Sequence, residues 1–138
     1  MMIRGLMIGA VVTLVACEQT GATRSFDDPA VQELFTMPST QYYATLTLAN
    51  AVAINCARYG YDADLDQSLN DARNEFGRGS LSAFGLREAI ETEIDVSKRS
   101  FEAKHGVEVG TDDLCGAGDA EVLEGTALSA MLVPAIEG

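Results

Sequence analysis

Hydrophobic residues recur at helical spacing through most of the chain, and residues that start or stop helices divide them into segments. Asp28 and Pro29 form the first such signal, because Asp caps a helix and Pro fits its first position. Pro38 ends this helix after a few residues. The pattern therefore predicts a short helix ahead of a longer central one.

The segment from residue 34 to residue 57 has no charged side chain. It begins at Ser39 and Thr40, which can cap a helix, and it stops at Gly60, a common residue at helix ends. Apolar residues occupy most of its faces, so we predict a buried central helix. The positions at helical spacing are Tyr42, Leu46, Ala49, Ala53 and Cys56, with Leu48, Val52 and Tyr59 on a flanking face.

Three more helices are predicted after Gly60. Asp62 caps the first, and the sequence GRGS separates it from the second, which runs from about Leu86 to His105. The third runs from Thr111 to just before Pro134, although its glycines weaken the preference for helix. The stripes of the first two helices are Leu65, Leu69, Ala72 and Phe76, and Leu86, Ile90, Ile94 and Phe101.

No alternation of apolar and polar residues is long enough to indicate a strand. The chain has 138 residues, enough for one hydrophobic core. We therefore expect an all-α fold, a small single-domain bundle of four to five helices. Gly116, Gly118 and Gly125 would let another helix approach the last one closely.

The N-terminal residues have the features of an export signal. Arg4 precedes an apolar stretch that ends at Ala16, which is too short to span a bilayer and fits the apolar region of a signal peptide. Leu14-Val15-Ala16-Cys17 resembles the lipobox of bacterial lipoproteins, in which the cysteine receives a diacylglycerol and the preceding peptide is removed. The alternatives are an ordinary cleaved signal with a chance cysteine and an uncleaved anchor.

This resemblance implies a division of the chain and a location. Residues 1–16 would be a signal peptide that is removed, residues 17–27 a lipid-anchored flexible tether, and residues 28–138 the helical domain. Glu18 follows the cysteine, where enterobacterial lipoproteins retained at the inner membrane tend to carry Asp. We therefore expect a protein held at the cell envelope, facing the periplasm, with the outer membrane favoured over the inner.

The charge of the chain excludes some classes of partner. Nine Lys and Arg residues stand against 21 Asp and Glu residues, a formal net charge of −12, and cleavage before Cys17 would make it −13 by removing Arg4. Such a surface repels nucleic acid and anionic membranes, and no basic patch offsets it. It favours cationic protein partners, although the charge can also serve solubility alone.

The three cysteines have separate expected roles. If Cys17 carries lipid, Cys56 and Cys115 remain as a pair in an oxidising compartment, where two thiols favour a disulfide. A metal pair would need further ligands, but His105 is the only histidine, and a redox pair usually has Cys-x-x-Cys spacing. We therefore predict a structural disulfide between the central and last helices.

No pattern of catalytic residues stands out. Asp62, Asp64 and Asp66 have the spacing of a calcium loop, but Gln67 and Arg73 occupy the positions that need Gly and Glu. His105 lacks an evident nucleophile, and it sits at a helix end where a capping or cationic role is common. We expect a solvated face at Glu88, Glu91, Glu93 and Asp95. The prediction is no enzyme, no metal and no cofactor, with carboxylate-based hydrolysis the least excluded activity.

Several motifs resemble one family. They are Asn55-Cys56 on an apolar helix, FGLREAIETEI from Phe84, and RSFEAKHGVEVGTDDLCGAGDAEV from Arg99, within residues 40–133. Together they resemble small exported proteins of unknown function from Rhodobacter-related alphaproteobacteria. The resemblance implies a helical fold and the cysteine pair, and it implies no activity. The chain departs from that family in its lipobox and in lacking basic residues near the C-terminus.

The sequence thus predicts a lipid-anchored structural or interaction module, either an accessory subunit or a scaffold. Its expected partners are the membrane, through the lipid on Cys17, and a protein at the envelope that can be cationic. Two alternatives stay open, an acidic inhibitor of a cationic envelope enzyme such as lysozyme and a carrier of an apolar small molecule.

Overall fold

A computed structural model of the protein describes residues 24–76 and 86–136. Five α-helices, a 3-10 turn and two short strands lie in these ranges. In chain order they are α1 (Pro29–Thr36), α2 (Ser39–Ile54), β1 (Tyr59–Tyr61), α3 (Ala63–Glu75), α4 (Arg87–His105), α5 (Cys115–Glu124), the 3-10 turn (Leu128–Met131) and β2 (Leu132–Pro134).

Three of the predicted helix boundaries are confirmed. The Asp28 carboxylate accepts a hydrogen bond from the Ala30 N–H at 2.9 Å, so it caps α1. Asp62 caps α3 in the same way, through the Leu65 N–H at 2.9 Å. Gly106 ends α4 in the left-handed conformation, at φ +64°, which glycine adopts at little cost.

The core is built around α2, as its sequence predicts. This helix packs against α4, β1 and the 3-10 turn, and it touches α5. It buries more side chains than any other described element, so it makes the largest single contribution to the hydrophobic stabilisation of the core. The buried residues of α2 are Tyr42, Ala44, Leu46, Leu48, Ala49 and Val52.

The predicted last helix, over residues 111–133, is wrong at both ends. The helix α5 begins at Cys115, four residues late, where the Cys115 N–H donates to the Asp113 carboxylate at 2.7 Å. Gly125 then takes a left-handed conformation, at φ +69°, and its N–H bonds the Glu121 carbonyl at 3.0 Å. The chain turns there, and the apolar residues after it enter the core as a 3-10 turn and a strand.

The expectation of a purely helical bundle also needs correction, because the fold is mostly helical with a small antiparallel sheet. Tyr59, Gly60 and Tyr61 of β1 pair with Pro134, Val133 and Leu132 of β2. The central helix therefore ends at Ile54 and not at Gly60. Three-residue strands are too short to produce a period in the sequence, which explains the missed sheet.

The predicted disulfide between Cys56 and Cys115 is confirmed, with Cα atoms 4.9 Å apart. Cys56 lies just after α2, however, so the bridge joins a loop to the first residue of α5 and not two helix bodies. The two cysteines are 59 residues apart, and the chain-entropy account assigns a loop of that length about 4 kcal/mol of stabilisation.

One of the three glycines in the last predicted helix permits a close approach. A Cβ placed on Gly118 would lie 2.9 Å from Tyr59 Cε2 and 3.0 Å from Val52 Cγ1. A Cβ on Gly116 would meet open space. Gly118 is therefore the residue that lets α5 rest against β1 and α2 beside the disulfide.

Arg73 joins α3 to the corner between α1 and α2. Its guanidinium, only 1% exposed, donates to the carbonyl oxygens of Leu34, Phe35 and Met37 at 3.2, 2.7 and 2.9 Å. It also lies 4.1 Å from the centre of the Tyr42 ring. These carbonyls lie at and just after the end of α1, where the helix supplies fewer N–H donors, and the guanidinium donates to them while the ring and the carbonyls stabilise its charge.

The N-terminal end of the described chain contacts α1. Arg24 pairs with Asp28 at 3.3 Å, and the Phe26 ring lies 6.5 Å from that of Phe35. Arg24 and Phe26 belong to the predicted tether, residues 17–27. Positions 17–23 of that tether lie outside the described residues. Within the described ranges, no helix combines the length and the apolar character needed to cross a bilayer.

Candidate functional site

An open groove of about 370 Å³ lies between α1, α2 and α4 and reaches the turn after α5. One side of α4 forms a wall of it, at helical spacing over three turns. Leu48 of α2, Met37 just after α1 and Leu128 of the 3-10 turn add apolar surface. The residues from α4 are Glu93, Val96, Ser97, Ser100, Phe101 and Lys104.

A polar cluster of Lys104, His105, Glu121 and Thr126 lies at one end of this groove; we call it the Glu121 cluster. Lys104 Nζ donates to Glu121 Oε1 at 2.8 Å, and His105 Nε2 lies 2.6 Å from the same oxygen. The Thr126 hydroxyl donates to Glu121 Oε2. An ionised carboxylate only accepts, so His105 Nε2 carries the proton in this arrangement.

The two helix ends bring these side chains together. Lys104 and His105 belong to the last turn of α4, and Glu121 is on the last part of α5. Because Gly125 reverses the chain, Thr126 returns beside the same carboxylate, and its N–H bonds the Glu121 carbonyl at 3.2 Å. The cluster therefore fastens α4 to α5 and to the turn that leads into the core.

The surroundings of Glu121 favour its charged form. Burial alone would raise the pKa of the carboxyl, but hydrogen bonds from Lys104, Thr126 and His105 outweigh it and hold the pKa below its ordinary value of 4.5. Hydrogen bonds to Glu121 and then Glu124 raise the pKa of Lys104. At neutral pH the cluster thus holds a charged carboxylate against a charged ammonium.

The chemistry of this cluster is that of a structural tie. His105 is nearly enclosed, and its hydrogen bond in the described part of the chain goes to Glu121. A general base needs a nucleophile within hydrogen-bond reach, and no serine hydroxyl or thiol among the described residues is bonded to His105. The Glu121 carboxylate is occupied by three donors, so it is not placed to take a proton from a substrate.

A second group, with metal-ligand spacing, lies at the disulfide. The ligand atoms of Cys56, Asp113 and Cys115 lie within 4.8 Å of one another. The thiolate is the form of cysteine that binds metal ions, and these two sulfurs are joined to each other. The Asp113 carboxylate accepts from the Cys115 N–H at the start of α5. The disulfide and the hydrogen bond to Asp113 therefore fix the first residue of α5 in place.

The structure separates the acidic residues that sequence spacing had grouped. Asp62 caps α3, Asp66 accepts from the Tyr61 hydroxyl at 2.9 Å, and Asp64 is exposed. On α4, Glu88, Glu91 and Asp95 are exposed, while Glu93 is half-buried on the groove. Cys17, the predicted lipidation site, lies outside the described residues.

Sequence reasoning missed the roles of Lys104, Glu121 and Arg73. Lys104 was one cation on a charged helix, and Glu121 was one acid on a chain with many acids. Arg73 carried a weak signal, because it stands four residues after Leu69 and so puts a charge on the apolar face of α3. Their partners are distant in sequence, so spacing alone could not have identified them.

Comparison with known protein families, curated proteins and solved structures gives no significant match to the chain. No activity, ligand or partner is carried over from a relative, and the resemblance to exported alphaproteobacterial proteins stays a prediction. The groove, the charge and the cysteines are the features of this chain that bear on its function.

Proposed function

We propose that the protein is a lipid-anchored module facing the periplasm, which acts through contacts with another protein at the cell envelope as an accessory subunit or scaffold. The observation that carries this proposal is the distribution of the cysteines. Cys56 and Cys115 are bonded to each other, which suits an oxidising compartment, and Cys17 is left over in a lipobox-like sequence.

The described part of the chain supports a binding role over a catalytic one. Its polar cluster is internally satisfied, while an open groove with apolar and acidic residues lies next to it. A carrier of an apolar small molecule usually has an enclosed apolar pocket. This groove is open and has charged residues in its lining, so it fits that role less well. A groove of this kind suits a surface contact with a protein.

The anchoring half of the proposal is tested by the variant Cys17→Ser. It should leave the membrane fraction or fail to mature, because the acyl chains supply the membrane affinity. Glu18→Gln, which keeps the cysteine, is the matched control and should stay with the membrane. Unchanged membrane retention of Cys17→Ser would overturn the anchor.

The interaction half is tested by crosslinking and mass spectrometry in native membranes. We expect reproducible crosslinks from this protein to one envelope protein, retained during purification in mild detergent. Recovery as a monomer without crosslinks at physiological salt would contradict the proposal. Because the anchor and the interaction are measured separately, each can fail without the other.

A further inference from the structure

The groove along α4 has more acids than the cations of residues 24–76 and 86–136 neutralise. Glu33 of α1 and Glu93 of α4 line it, and neither forms an ion pair with a described Lys or Arg. Lys104, the lysine among the lining residues, is already held by Glu121 and Glu124 at 2.8 Å each. Among the described lining residues, the groove therefore offers carboxylates outside any ion pair, while its one lysine is already paired.

The same groove offers apolar surface that the fold leaves uncovered. Val96 points into it with 54% of its surface exposed, although Val is a residue that folding usually buries. Met37, Leu48 and Phe101 extend the apolar lining towards the core. From Glu93 to Lys104 the α4 wall is roughly 17 Å long, about three helical turns.

We propose that this groove docks a basic amphipathic helix of a partner protein, with apolar side chains against Val96 and Leu48 and Lys or Arg side chains against Glu33 and Glu93. The proposal rests on the proposed function and names the surface through which it acts. Charge complementarity selects the occupant, since the groove adds carboxylates to a chain of net charge −12. Helices bind such grooves through apolar residues three and four positions apart.

Other occupants of the groove are less suited by charge. A second copy of this chain would bring the same strong negative charge to the contact. Residues 1–23 of the chain contain Arg4 as their sole cation, and cleavage before Cys17 would remove it. A partner segment with several Lys or Arg residues meets both acids of the groove at once.

The probe is a synthetic helix of about 18 residues with Leu at helical spacing and Lys elsewhere. Its binding to the full mature protein, purified in detergent, is followed by fluorescence anisotropy at about 0.15 M salt. We expect binding of this peptide, and none of a peptide with Glu in place of every Lys. A peptide with Ser in place of every Leu should bind at least about tenfold more weakly.

Two pairs of variants locate the contact. Ser100→Trp fills the groove, and Ser68→Trp puts the same side chain on an exposed site of α3, outside the groove. Glu33→Gln with Glu93→Gln removes the groove acids, and Asp71→Asn with Glu75→Gln removes two exposed acids of α3. We expect each groove variant to weaken peptide binding about tenfold, and each α3 variant less than twofold.

Equal effects of the groove and α3 variants would overturn the proposal, as would no peptide binding at all. A concentration-dependent dimer that Ser100→Trp dissolves would also overturn it, in favour of a second copy. If crosslinks to an envelope partner survive Ser100→Trp, the groove is not the contact surface, although the proposed interaction with that partner still stands. Thermal unfolding of each variant shows whether it has folded, and the charge-removing pair tests the groove without a steric change.

Discussion

The helices α2 and α4 pack against each other but contribute to the fold in different ways. α2 has 16 residues and no charge, and six of its side chains are buried. α4 has 19 residues, many of them charged, and Phe101 is its buried residue. The difference indicates that α2 contributes more to the core, whereas α4 packs along α2 with one buried side chain and leaves surface available for a partner.

The largest expected effect is at the corner that supports α2. Arg73→Met should lower the free energy of unfolding by roughly 4 kcal/mol, because it removes the charged donor that bonds three carbonyl oxygens at this corner. Arg99→Met on α4 is the matched control, with an exposed ion pair to Asp95, and should lose at most about 0.5 kcal/mol. Urea unfolding of both variants measures the difference, and similar losses would break the comparison of the two helices.

Phe101→Ala should lower the free energy of unfolding by about 3 kcal/mol, because it leaves a cavity where α4 meets the core. Val96→Ala, on the same helix but 54% exposed, should change it by less than about 1 kcal/mol. Thermal unfolding of the two variants checks whether one residue holds α4. A loss at Val96 as large as that at Phe101 would show that the groove is part of the core.

Glu121→Gln should lower the free energy of unfolding by roughly 2 kcal/mol at pH 7, because Lys104 and His105 lose a charged partner. The pKa of Glu121 in the folded protein is below its ordinary value of 4.5, so its contribution is fully present above pH 4.5 and is lost as the pH falls through the lower folded value. Chemical unfolding at a series of pH values should therefore show the variant and the parent protein converging below pH 4.5.

Glu124→Gln is the control for this prediction, since it removes the exposed partner of the same lysine. It should have little effect at any pH. A difference between Glu121→Gln and the parent protein that stays constant from pH 7 to about pH 3 would contradict the role of the charge.

The smallest expected effects compare two glycines of α5. Gly118→Ala should lower the free energy of unfolding by about 1–3 kcal/mol, because its Cβ would collide with the Tyr59 ring and Val52. Gly116→Ala should raise it by up to about 1 kcal/mol, since its Cβ meets open space and Ala favours helix. Calorimetric unfolding decides the signs, and equal signs would show that close packing of α5 against α2 is not what Gly118 provides.

The sequence predicted the features that depend on local pattern. Helix positions, the caps at Asp28 and Asp62 and the burial of α2 followed from apolar spacing and short-range hydrogen bonding. The pairing of Cys56 with Cys115 followed from the expected oxidising compartment and from the two cysteines that remain after Cys17. The structure confirms this pairing. The helices and caps depend on residues close in sequence, and three cysteines allow only a few pairings, so both could be predicted.

The features that were missed depend on contacts between distant residues. The ladder between β1 and β2 joins residues about seventy positions apart, and neither strand has a period to detect. Glu121 and Arg73 looked like ordinary surface charges because their partners lie on other elements. Gly125 was expected to weaken a helix, and it ends one, because its left-handed conformation directs the following apolar residues into the core.

The pairing of β1 with β2 also has a consequence for the order in which the chain folds. The residues that complete the core, Leu128 to Leu132, come more than sixty positions after the Tyr59–Tyr61 strand that they meet. Closing such a long loop is slow compared with forming the local turns of a helix. Until the ribosome has released these residues, the earlier helices have no completed core to pack against. The core therefore closes only once residues 128–134 are available to meet β1, and not while α2, α3 and α4 are being made.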